Sequence, residues 1–140
     1  IKIDLPSAFA FVTDIPVYIS HINHGNHLDN AAMLSLVSEA RTRFLASMGY
    51  SEGNVEGVGI IVADAAIQYK AEVFYGDVLR FEMTAWEFSR VGCDLPYRVS
   101  RVADGAEVAR GKTGIVFFNY QERTAVAVPP AFAAHFGSNA

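Results

Sequence analysis

Apolar side chains recur at three- and four-residue steps through Met33, Val37, Ala40, Phe44 and Met48. That period is an amphipathic helix. Leu34, Leu36 and Leu45 widen the stripe beyond one face, so the helix is expected to be largely buried. Asp29 or Asn30 suits its N-cap, and Gly49 suits the residue past its end. At 1.5 Å per residue it would run roughly 28 Å.

The rest of the chain reads as strands. Residues 1–13 have no clear period, and Pro6 and Ser7 suggest irregular structure. A strand is expected over about 15–20, with Pro16 at its start or on an edge. Val58–Ala71 is long and β-branched. Val78–Ser89 alternates Leu79, Phe81, Met83 and Ala85 with Arg80, Glu82 and Thr84. Leu95–Val102 follows, then Asp104-Gly105 as a hairpin signal, then Ala106–Tyr120. Pro129-Pro130 ends the last strand, and Ala131–Phe136 suits one helical turn. One short strand, one long helix and four strands in meander order predict an α+β fold with an antiparallel sheet. One helix leaves a sheet face and an edge uncovered, so a symmetric homodimer or dimer of dimers is expected.

Composition narrows the class. The chain has 140 residues, enough for a single domain over 1–140 with its core at about 14–128. A net charge of −4 and no basic stripe argue against a nucleic-acid partner. No apolar run is long enough to span a membrane. The single Cys93 allows no internal disulfide, and with no signal peptide in view a reducing, cytoplasmic location is expected. Cys93 itself suits a small buried hydrophobe.

Polar chemistry concentrates between the first strand and the helix. Residues 21–30 carry His21, His24, His27, Asn23, Asn26 and Asn30. No partner cysteine accompanies the histidines, so no metal site is expected. An asparagine here either closes an Asx-turn or orients a reactant. His27 suits a donor or general base. Glu39 is a carboxylate on a helix expected to be buried, and must pair with Arg43 or Arg41 or serve a reaction.

The loop His21-Ile22-Asn23-His24-Gly25-Asn26-His27-Leu28-Asp29-Asn30, the helix element Glu39-Ala40-Arg41 and the turn Tyr75-Gly76-Asp77 occur in one order. Together, over about 14–128, they resemble the hotdog fold, specifically its 4-hydroxybenzoyl-CoA thioesterase-like branch. In that branch the loop reads Asp-x-Asp-x-x-Gly-His-Val-Asn-Asn. His27 falls on the family histidine. His21 and Asn23 fall on its two aspartates, and Asn26 falls on its glycine.

The resemblance implies a sheet of about five strands around one central helix, and hydrolysis of acyl-CoA thioesters at a dimer-interface site. It implies no cofactor, since coenzyme A belongs to the substrate. The implied catalytic residues are Asn23, His27 and Glu39. The implied substrate-binding residues are Leu28, whose backbone N–H or a neighbour's would stabilise an oxyanion at the helix tip, Met33, Val37 and Phe81 around the acyl group, and Arg90. Lys70 and Arg110 are further candidates for the phosphates. A hotdog hydratase is the alternative, since it pairs a histidine with an acid, although that branch's proline-rich loop signatures are absent. A non-catalytic acyl-CoA or fatty-acid binding module is the third reading.

Overall fold

A computed structural model describes residues 1–139. Six strands form one antiparallel sheet: β1 (Phe11–Pro16), β2 (Gly59–Tyr69), β3 (Val78–Met83), β4 (Gly92–Arg101), β5 (Glu107–Asn119) and β6 (Thr124–Ala125). The long helix α1 (Asn30–Ser47) lies between β1 and β2 in sequence, and the short α2 (Pro130–Ala133) follows β6. The strand order is β1-β3-β4-β5-β2, with β6 on the end of β5. Strands β3, β4 and β5 are the expected meander. β2 departs from it, crossing the sheet to pair with β5. The first strand starts earlier than expected, at Phe11, and Pro16 closes it. Proline suits that edge position, because it has no N–H to donate.

The helix begins where Asp29 caps it: one carboxylate oxygen accepts from the N–H groups of Ala31 (3.0 Å) and Ala32 (3.2 Å). It ends before Gly49, whose φ of +83° needs a residue without a Cβ. Met33, Leu36, Val37, Ala40, Phe44 and Leu45 are buried against the sheet. The opposite face, with Ala31, Ser35, Glu39, Thr42 and Ala46, is exposed. The helix is thus half-buried rather than enclosed, because the sheet covers only one side of it. Its backbone runs closest to β1 and β3.

The far end of the helix is closed by an aromatic plug. Phe132 of α2 packs 5.1 Å from Phe117 and 5.2 Å from Phe136, and Phe136 lies 5.9 Å from Phe44. The helix tip at Asn30 is left open, and the cleft described next lies there.

Candidate active site

The loop ahead of α1 is a tight backbone ladder. Asn23 N–H donates to the His27 carbonyl, and Asp29 N–H to the His21 carbonyl. Asn23 Oδ1 accepts from Gly25 N–H at 2.9 Å, an Asx-turn. Asn26 sits at φ +65°, a left-handed conformation that glycine and asparagine tolerate best. A Cβ on Gly25 would stand 3.1 Å from His27 Nε2 and 3.3 Å from Asn23 Oδ1. Those two side chains therefore flank the Gly25 backbone, and a larger residue there would press on both.

The connection from β2 to β3 lies beside this loop. Leu28 N–H donates to the Val73 carbonyl at 2.7 Å. Tyr69, at the end of β2, donates its hydroxyl to the Asn30 carbonyl at 2.8 Å. Burial, then the Asp29 carboxylate, raises the Tyr69 pKa, so the phenol keeps its proton. Between loop and connection opens a cavity of about 290 Å³. Leu28, Met33 and Val73 make it apolar; His27, Asp29, Asn30, Tyr69, Lys70 and Glu72 bring the polar groups.

This geometry redistributes the expected site residues. His27 and Met33 line the cavity, and Asn23 stands beside His27. Leu28 lines it too, but its N–H is occupied by Val73 and cannot receive an oxyanion. Among the described residues of the first helical turn the free N–H is that of Asn30, since Ala31 and Ala32 donate to Asp29 and Met33 to the Asp29 carbonyl; ahead of the helix the His27 N–H is free as well.

Val37 and Phe81 are 2% and 0% exposed, packed in the core rather than on the cavity wall. Arg90 is exposed near the other end of the sheet. Its neighbour Gly92 pairs with Val116, whereas Tyr69 at the cavity pairs with Ala109. Seven residues of strand separate the two, roughly 23 Å.

Glu39 is not brought to the cavity either. It lies half-exposed on the outer helix face, paired to Arg43 at 2.8 Å. Arg43 also donates to Thr13 Oγ1 and the Asp14 carbonyl. Glu39 and Arg43 share a separate groove with Tyr18, His21 and Ser35. The other helix arginine, Arg41, pairs with Glu52 at 2.5 Å. The loop histidines diverge: His21 Nδ1 accepts from Tyr18 N–H, His24 is exposed, and only His27 reaches the cavity. Burial, then Asp94, pushes the Cys93 thiol up to about 12, and the residue is 6% exposed, so it is inert as a nucleophile.

A family model described as the thioesterase-like superfamily matches residues 17–136. The chain belongs to that superfamily. Solved structures share its architecture, the hotdog fold. A 1,4-dihydroxy-2-naphthoyl-CoA thioesterase from Synechocystis superposes with a TM-score of 0.81 at 22% identity, covering 89% of this chain and 93% of that one. A gentisyl-coenzyme A thioesterase gives 0.79 at 17% identity, covering 90% and 99%. A Staphylococcus aureus protein characterised in complex with CoA gives 0.81 at 20% identity, covering 94% and 85%. No curated protein sequence matches the chain.

The residues that reading the sequence missed come from the end of β2 and its connection to β3: Tyr69, Glu72 and Val73. One signal for Tyr69 was present, a phenol closing an apolar strand, where a ring with a polar end suits a cavity wall.

Proposed function

We propose that this member of the thioesterase-like superfamily hydrolyses acyl-CoA thioesters in the cavity at the tip of α1. The observation that carries the reading is the unpaired Asn30 N–H at the positive end of an 18-residue helix, opening onto an apolar-lined cavity with His27 on its wall. The thioester carbonyl oxygen accepts from Asn30 N–H. His27 takes a proton as water attacks the carbonyl carbon, and the charge moves to the oxygen at the helix tip. As the intermediate collapses, the C–S bond breaks, and the thiolate leaves with the proton that His27 returns. Asn23 acts as a positioning residue, holding the loop around Gly25. Glu39, on the opposite helix face, takes no part within the subunit.

The test is thiol release from short, long and aromatic acyl-CoAs by wild type and His27→Ala. Loss of a general base lowers kcat about 100-fold or more. Thiol release with full activity in His27→Ala would remove His27 from the mechanism. CoA binding without thiol release would favour a binding module. Crotonyl-CoA consumed without thiol release would favour a hydratase.

The assembly we propose is a homodimer through β2. This strand is eleven residues long and leaves one edge unpaired. A bulge between Val62 and Asp64 puts both Val62 and Ala65 on the helix side, opposite the core residues Ile115 and Thr113. Both are exposed there, Val62 by 50%. A second β2 edge and a second helix would cover them. Light scattering should give a dimer for wild type and a monomer for Val62→Lys; a monomeric wild type overturns this assembly.

A further inference from the structure

Besides its cap, the tip of α1 is fastened twice to one wall of the cavity. Leu28 N–H, just ahead of the helix, donates to the Val73 carbonyl at 2.7 Å. Tyr69 O–H donates to the Asn30 carbonyl, inside the first turn, at 2.8 Å. Tyr69 ends β2, and Val73 lies in the segment that follows it. Along the chain the Asn30 N–H falls between these two bonds. The peptide that carries it is therefore held on either side to the same neighbour.

Local structure explains how Tyr69 reaches the tip. Its register partner on β5 is the buried Ala109, so its ring stands on the helix side of the sheet. A helix carbonyl accepts one bond from within the helix and keeps a second lone pair, which the phenol takes. Burial and the Asp29 carboxylate keep the hydroxyl protonated, and so a donor. Packing alone secures the first turn weakly: Asn30 and Ala31 are exposed, Ala32 is half-buried, and Met33 is the first residue of the helix to be buried.

We propose that Tyr69 is a positioning residue: its bond to the Asn30 carbonyl fixes the first turn of α1, so that the Asn30 N–H points at the place where the thioester oxygen becomes an anion. This rests on the thioesterase reading and adds the side chain that keeps its oxyanion donor in line. A hydrogen bond weakens steeply when its angle is lost. The oxyanion contact matters most in the transition state, where the charge develops. Loss of the fastening therefore lowers kcat and leaves ground-state binding, made by the rest of the substrate, as it was. A phenol that instead gripped the acyl group would show in KM, and one that acted on the base would show in the pH profile.

Tyr69→Phe removes one hydroxyl and keeps the ring on the cavity wall. For an acyl-CoA that wild type cleaves, kcat should fall roughly tenfold, with KM held within about twofold and the pH midpoint of kcat/KM unmoved. Amide exchange reads the fastening without turnover. The Ala32 and Met33 N–H groups close the first turn on Asp29, and their exchange should quicken roughly tenfold in Tyr69→Phe. The inference is overturned if kcat is unchanged, if KM alone rises, if the pH midpoint shifts, or if exchange stays as slow as in wild type. If wild type releases no thiol, the hydrolytic reading fails and the kinetic role of Tyr69 falls with it, whereas faster exchange in Tyr69→Phe still upholds the fastening.

Discussion

Asp29 holds the helix tip, and replacing it separates that role from catalysis. One of its oxygens accepts from both Ala31 and Ala32 N–H, and its side chain lines the cavity. Asp29→Ala removes both acceptors and the charge facing the helix dipole. Loss of a cap costs about 0.5–2 kcal/mol, and the charge adds about 0.3–1 kcal/mol. Ala31 is exposed, so water recovers part of the first cost. About 1.5 kcal/mol remains, which lowers Tm by about 5 °C for a chain of this size. Asp29→Ser keeps an oxygen acceptor and loses only the charge, so its Tm should fall by about 2 °C. Thermal unfolding at one fixed protomer concentration gives both values. The kinetic prediction is the sharper one. With His27 as base and Asn30 N–H as oxyanion donor, Asp29→Ser keeps kcat/KM within about threefold, because the serine still caps the helix. A carboxylate acting as base would instead cost about 100-fold or more when removed. A folded Asp29→Ser enzyme that loses that much makes Asp29 the base and refutes the assignment to His27. A Tm change below about 1 °C in Asp29→Ala refutes the cap.

Further outcomes follow from the packing and the charges. Phe132→Ala should cost about 3–5 kcal/mol in denaturant unfolding, since Phe132 is 0% exposed among Phe88, Phe117 and Phe136; a loss under 1 kcal/mol would show that the plug is dispensable. Glu39→Gln should keep kcat/KM within about threefold, because the side chain is bound to Arg43 away from the cavity. A hundredfold loss would mean that Glu39 reaches an active site across a subunit interface. Arg110, then Lys70, holds the Glu107 carboxyl down from the usual 4.5 to about 2. A depressed acid stabilises the fold above its unfolded pKa, and the contribution fades as pH falls from about 4.5 toward 2. After solvent screening about 1–2 kcal/mol is at stake, so the stability gap between wild type and Glu107→Gln should shrink over that range in urea titrations. A gap independent of pH would contradict the charge network.

The elements were legible because each rests on a local pattern. α1 showed its 3.6-residue stripe, Gly49 its stop, and Leu79, Phe81 and Met83 their alternation. Adjacency was not legible. β2 reads as a strand wherever it pairs, and its place beside β5 is set by long-range pairing such as Val62 with Ile115. The cavity suffered for the same reason. Its second wall arrives through one backbone bond, Leu28 N–H to the Val73 carbonyl, across 45 residues, and backbone bonds leave no mark on side-chain identity. That bond also takes the Leu28 N–H, one of those expected to bind the oxyanion, and leaves the Asn30 N–H as the proposed donor. The direction of Glu39, in contrast, was within reach. At 100° per residue, nine residues turn the helix by 900°, so Glu39 points half a turn away from Asn30 at the tip. Helical phase alone separates that carboxylate from the cavity of its own subunit, and the salt bridge to Arg43 at i+4 is its consequence. The loop carboxylate expected from the family is replaced by Asn23, and its side chain is engaged with Gly25. In the proposed hydrolysis, base chemistry within this subunit falls to a side chain on the cavity wall, and the paired variants His27→Ala and Asp29→Ser decide which one.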